Sequence, residues 1–220
     1  VSDQAAEGGG EHDDRSMVAE WVSVCAGVVG AAGGAVIVGA IAGAEQAHRV
    51  VHVTDAVADR VADLFYIHGW HLESGDPDAP VSIVAVGDPS HCRRWPLLTS
   101  DLEAMGVHSV DVAPMAPGGS SVGVLVLYRT VAPSRRHTET AGLIGPSATL
   151  IGHLVLGLDS VGVGGAGGSD LRSVAVGVLM ARHDIDARSA SARLRAAAYA
   201  RGTSTLTEAC RIVDSTTPNA

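Results

Sequence analysis

A stretch of nine residues, Ser160 to Gly168 (SVGVGGAGG), contains five glycines and no side chain larger than valine. Ordering that much glycine backbone as helix or strand is costly, so it reads as a linker dividing the 220-residue chain into a long part and a short one. Charge changes sign at the same place. Residues 1–170 hold 20 acidic residues against 8 Arg, whereas residues 171–220 hold 4 against 7 Arg. The net charge of -9 argues against indiscriminate binding to nucleic acid or an acidic membrane. A polyanion is repelled by the long part and tolerated by the short one. Lysine is absent, so every basic side chain is Arg.

The apolar fraction is 46% but the aromatic fraction only 3%, so a packed core has to be built from Val, Ala, Leu and Ile. Trp21 to Ala44 has one acid-free and base-free run long enough to span a bilayer. It is rich in Gly and Ala and lacks the Leu and Phe that drive insertion, which favours a buried helix followed by a central strand. The first twenty residues are acidic and do not resemble the basic start of a secretory signal. Cys25, Cys92 and Cys210 are far apart and form no CxxC, which fits reduced thiols in a cytoplasmic protein.

Residues 1–14 read as a disordered polar lead-in. A helix follows, with Met17, Val18, Trp21, Val24, Cys25 and Val28 as its inward stripe. Strands are expected at 35–41 and 48–53, joined through Gly43 to Gln46 as a hairpin. In the next helix Val57, Val61, Leu64 and Phe65 face inward, with Asp55, Asp59, Arg60 and Asp63 on the wet side. A third strand runs over 80–86 and stops at Gly87-Asp88-Pro89. A short helix at 96–105, strands at 107–113 and 121–128, and a long helix at 138–156 complete the long part. In that long helix Leu143, Ala148, Ile151 and Leu154 or Val155 point inward. The fold class expected is α/β (α+β), with a five-stranded, mainly antiparallel sheet and helices packed on it.

The last fifty residues read as three helices. Leu171, Val174, Ala175, Val178, Leu179 and Arg182 follow helical spacing in the first. Asp186 can cap the second, whose apolar stripe is Ala190, Leu194, Ala197 and Ala198. Thr205-x-x-Glu208 has the form of a capping box for the third. Three helices this short bury little surface, which implies docking or dimerisation.

Catalytic and metal motifs are weak. His48 and His52 share one face of a strand, His68-x-x-His71 lacks a third ligand, and nothing orients His91 as a base for Cys92. No phosphate-cradling glycine loop or nucleophile elbow is present, so the chain is not expected to be an enzyme, and no cofactor or metal is implied. The C-terminal part offers more. Arg188, Arg195 and Tyr199 lie at i, i+7 and i+11, with Arg182, Arg193 and Arg201 nearby. Guanidinium forks suit phosphate oxygens, and a tyrosine can stack on an unpaired base. Solubilising and salt-bridging arginines are the alternative.

The residues Gly177-Val-Leu-Met180-Ala-Arg182, Ala190, Leu194-Arg195, Ala198, Thr205-Leu206, Glu208, Cys210 and Val213 resemble the ANTAR domain, a three-helix RNA-binding module of transcription antitermination regulators. Arg94-Trp95-Pro96, Gly106-Val107, Ser109-Val110, Ala113-Pro114-Met115, Gly118-Gly119 and Gly123 to Arg129 resemble the GAF domain that often precedes it. The resemblance implies a GAF-like sensor domain at 16–158 and an ANTAR-like domain at 169–216. It further implies a homodimer without a membrane segment, a small-molecule signal at the GAF-like domain and stem-loop RNA as partner. Arg182, Arg188, Arg195 and Arg201 would then hold phosphates, with Tyr199 or Thr205 near loop bases. The chain departs from the family at Val176, where a lysine is usual, at Ser191, where a large aromatic is usual, and at Gly69 to Gly75. No ligand site carries over from the GAF likeness. A dimeric ligand- or protein-binding sensory scaffold that has lost RNA binding is the competing reading.

Overall fold

The computed structural model describes residues 8–39, 49–68, 82–119, 121–132, 139–160 and 168–216. The strands are β1 (Gly33–Val38), β2 (Arg49–Val53), β3 (Ser82–Ala85), β4 (Ser109–Met115) and β5 (Gly123–Arg129). They form one sheet in the order β2-β1-β5-β4-β3, with every pairing antiparallel. The helices are α1 (Gly8–Val29), α2 (Ala56–His68), α3 (Pro89–Arg94), α4 (Pro96–Ala104), α5 (Ile144–Ser160), α6 (Gly168–His183), α7 (Ala187–Arg201) and α8 (Thr205–Asp214).

The strands form where apolar runs can be buried on both faces. On β4 and β5, Val110, Val112, Val126 and Tyr128 face α2 and α4, while Ala113, Met115, Leu125 and Leu127 face α1 and α5. The result is a five-stranded antiparallel sheet between two helical layers, in line with the sheet and packed helices expected from the residue pattern. The expected hairpin is present as the β1–β2 pair, although its connection lies outside the described residues.

Several expectations are corrected. Helix α1 begins at Gly8, so the latter half of the expected disordered lead-in is helical. Its inward stripe is Val18, Val22, Cys25, Ala26 and Val29, while Trp21, Val24 and Val28 are exposed. The helix is apolar over so much of its circumference that residue type alone does not give its phase. Helix α5 starts at Ile144 after a 3-10 turn over Ala141–Leu143, with Ile144 buried and Leu143 exposed. Gly87-Asp88-Pro89 ends β3 as expected but also starts α3. Asp88 accepts hydrogen bonds from the amides of Ser90 (2.8 Å) and His91 (3.2 Å), and Pro89 occupies a first-turn position.

One polar network ties α2 to the sheet. Asp55 accepts from the amides of Val57 (2.8 Å) and Ala58 (2.9 Å) at the start of α2, and from the Tyr128 hydroxyl (3.0 Å) on β5. Thr54 donates to Asp55 (2.8 Å) and accepts from the Gly34 amide (2.9 Å) on β1. Burial raises the Asp55 pKa, but the bonds from Ala58, Thr54, Tyr128 and Val57 outweigh it and hold the carboxyl below its ordinary value. The same junction pushes Tyr128 up to about 12, through burial first and the neighbouring carboxylate second. Gly33 is required there, since a Cβ would overlap Thr54 and Asp55 and come within 2.8 Å of the Tyr128 ring.

A second buried polar group lies on the α1/α5 side. Arg129 and Asp111 form an ion pair there, and Arg129 also donates to the Val29 carbonyl (3.3 Å). The pair joins β4 and β5 to the end of α1 within an apolar layer.

Candidate nucleic-acid interface

Helices α6, α7 and α8 pack around their own small core of Ala175, Leu179, Ala190, Leu194, Ala209 and Ile212. Asp186 caps α7 by accepting from the Ser189 amide (2.7 Å), as its position suggests. Gly202 then ends α7 in the left-handed conformation (φ 61°), which a glycine adopts without strain. At α8 the capping residue is Ser204, which accepts from Thr207 (3.0 Å). Thr205 is the first residue inside the helix, so the cap is displaced by one position and the expected Thr205–Glu208 capping box does not form.

That displacement gives Thr205 and Glu208 different tasks. Glu208 is buried and accepts from Arg201 (2.9 Å) and from Arg211 (2.6 and 3.0 Å). The Arg211 hydrogen bonds lower the Glu208 pKa, burial opposes them, and the net shift is downward. Thr205 is wholly buried and donates to Asp63 (2.6 Å) on α2, while its backbone amide donates to the same carboxylate (3.3 Å). Arg172 on α6 completes the cluster, donating to Asp63 (3.2 Å) and to the Thr205 hydroxyl (2.9 Å).

The six residues predicted to contact RNA therefore have unequal surroundings. Arg188 is exposed on α7, and Arg193 beside it is exposed as well. Arg182 is exposed but bonds to the Ser215 hydroxyl (3.2 Å) and carbonyl (3.1 Å), holding the end of α8. Arg195 is half-buried. Arg201 is half-exposed and shares the Glu208 carboxylate with Arg211. Tyr199 is 48% exposed, with one edge against the His68 ring at 6.4 Å. Thr205 is not available at the surface, which corrects its expected place near loop bases. Its hydroxyl and amide are occupied by a carboxylate 142 residues earlier in the chain.

Asp63 and Arg172 were the residues that helical patterning missed. Asp63 was expected on the wet side of α2, yet it is 2% exposed. Its position opposite the Val61–Phe65 stripe placed it in solvent only as long as α6–α8 were considered separately. The other end of α2 touches the same helices, because His68 meets Tyr199 on α7, and His68 also pairs with Asp101 (3.0 Å) on α4.

The weaker chemical candidates have structural surroundings. His91 Nδ1 accepts from the Ala85 amide (3.1 Å) and its ring stacks on Trp95, so it joins α3 to β3. Burial lowers the pKa of His52. His48, His71 and the segment Gly69 to Gly75 lie outside the described residues. Among the described residues, no group of three or more His, Cys, Asp or Glu could hold a metal, and no helix is long and apolar enough to cross a membrane.

No family model and no curated protein matches this chain. Among solved structures, a domain of a two-component sensor histidine kinase protein from Sinorhizobium meliloti 1021 is similar. It is 14% identical, has a TM-score of 0.45, and the match covers 72% of this chain and 95% of that one. The blue-light absorbing form of the Thermosynechococcus elongatus PixJ GAF domain is also similar. It is 14% identical, has a TM-score of 0.37, and the match covers 73% of this chain and 96% of that one.

Proposed function

We propose that this chain is a cytoplasmic sensory scaffold acting as a homodimer. Its GAF-like part receives a small molecule or a protein, and the response passes to α6–α8 without covalent chemistry. The supporting observation is that α2 carries a polar anchor at each of two points, one to the sheet and one to α6 and α8. Tyr128 on the sheet binds Asp55 at the start of α2, and Asp63 two turns later binds Arg172 and Thr205. A shift of α2 against the sheet therefore changes the hydrogen bonding at the start of α8. A coupling of this kind needs a two-state element that both sites bias, and α2 has contacts suited to that part.

A thermal-shift screen of the full chain against small metabolites, followed by hydrogen exchange on any hit, tests the proposal. A ligand that fits it raises the melting temperature and changes exchange in α2 and in α6–α8 together. A ligand that protects the sheet and leaves residues 168–216 unchanged contradicts it.

RNA antitermination is kept as a second reading because Arg188 and Arg193 are exposed on one helix of the arginine-rich part. In that reading Arg182, Arg195, Arg201 and Tyr199 would flank them at the RNA. Titration against a paired-hairpin RNA pool at several salt concentrations separates the two readings. Selective binding that weakens steeply with salt and falls in Arg188→Ala favours RNA, since each phosphate contact releases counterions. Absence of binding by the folded chain leaves the scaffold.

A further inference from the structure

An aspartate in the middle of an amphipathic helix is ordinarily solvated, and burying its charge is unfavourable unless donors replace the lost water. Asp63 is buried, and among the described residues its hydrogen bonds come from Arg172 and Thr205, 109 and 142 residues away. None of these donors belongs to the sheet or to the helices packed on it. While α6 and α8 rest on α2 the charge is shut off from water and depends on these donors alone among the described residues.

The arrangement is demanding in the opposite direction too. The Thr205 amide is one of the first amides of α8 and has no partner within its own helix. Arg172 is almost fully buried, and its charge also depends on Asp63. Asp59, one turn before Asp63, reinforces the dependence. Burial and the Asp63 charge raise its pKa, while Arg172 and Arg60 lower it. Removing the helices would leave two neighbouring carboxylates on α2 without Arg172.

We infer that Asp63 is an intramolecular latch, and that the arrangement observed is the closed state of a switch in which α6–α8 are held against α2. Opening requires the Asp63 carboxylate and the Arg172–Thr205 donors to separate together and be rehydrated. It uncovers Arg172, the start of α8 and the His68-facing edge of Tyr199. In the closed state this donor cluster is filled by a carboxylate from the same chain, which blocks any external anion from reaching it. Tyr199 shares its helical stripe with Arg188 and Arg195, so the latch also shields one end of the stripe considered for RNA.

The inference rests on the reading of α6–α8 as the responding part, but its test requires neither a ligand nor an RNA. Hydrogen exchange of the full chain is compared with that of Asp63→Asn, which keeps the side-chain shape, and Thr205→Val, which keeps the β-branch. Both variants should accelerate exchange across α6–α8 by roughly tenfold or more while β1, β4 and β5 retain their protection. The double variant should add little to either single change, because both remove one shared interaction. Unchanged exchange in α6–α8 for both variants overturns the latch. Equal acceleration in the sheet and in α6–α8 also overturns it, since Asp63 would then be an ordinary determinant of global stability. A failed ligand screen with a positive exchange result would count against the sensory reading and leave the latch standing.

Discussion

The two halves of this molecule are stabilised on different scales. The sheet carries apolar side chains on both faces and buries them under separate helical layers, so its strands are fixed by many independent contacts. Helices α6–α8 share a core of six buried residues and add polar contacts to α2. Apolar burial is forgiving of direction, whereas a buried charge needs its donors in place; the sheet's own buried pair, Arg129–Asp111, lies within an extensive apolar layer, while Asp63 joins α2 to the small three-helix unit. The sheet therefore rests on the larger apolar core, and the C-terminal helices on a smaller core together with their contacts to α2.

The comparison can be broken most severely on the sheet side. Gly123 lies against the β1 backbone, and a Cβ there would come within 2.9 Å of the Val38 Cα and overlap the Ile37 carbonyl. Gly123→Val should cost roughly 4 kcal/mol or more and abolish cooperative folding, measured by circular dichroism during urea unfolding. Leu194→Ala removes a fully buried side chain from the small core. It should cost about 2–5 kcal/mol in α6–α8 and leave exchange protection of the strands in place.

Acid tests the same distinction more gently. The folded-state pKa of Glu208 is below its ordinary 4.5. Its contribution is therefore fully present above the unfolded value and is lost as pH falls through the folded one. Exchange in α7 and α8, corrected for the intrinsic pH dependence, should rise below about pH 4.5, and Glu208→Gln should reduce that rise; in α7 a remainder is expected from the cap Asp186, whose pKa is also lowered by its bonds to Ser189. The smallest effect is expected at Tyr199, which is half-exposed and meets His68 by one edge. Tyr199→Ala should alter stability by less than about 1 kcal/mol in urea unfolding.

How much was legible in the sequence follows the same division. Five strands could be placed within a few residues because each is an apolar run bounded by turn formers; the short connection at 43–46 pointed to the β1–β2 hairpin, whereas the β1–β5 and β3–β4 pairings join segments far apart in the chain and could not be read. The glycine-rich segment lies outside the described residues except at Ser160 and Gly168, where α5 ends and α6 begins. The phase of α1 could not be read, because Trp21, Val24 and Val28 are as apolar as the residues buried beside them. Helix α3 was hidden by an Asp-Pro pair that serves equally as a turn and as a helix start. The largest gap was at Asp63, Arg172 and Thr205. Each looks ordinary within its own helix, and only the three-dimensional approach of distant segments makes them a unit. Candidate arginines could be found by type and spacing, but which of them pair with Glu208 could not, because its role was assigned to capping.

The most direct test of the account uses the positions of the tryptophans. Trp21, Trp70 and Trp95 all precede the glycine-rich segment, so fluorescence reports the sheet-containing part, whereas far-ultraviolet circular dichroism also reports α6–α8. In urea the two signals of the wild-type chain should coincide, as expected when a docked part unfolds with its support. In Asp63→Asn the dichroism transition should begin at lower urea than the fluorescence transition, which should itself stay near its wild-type midpoint. Coincident transitions that shift together in the variant would contradict the claim that Asp63 joins two parts of unequal stability.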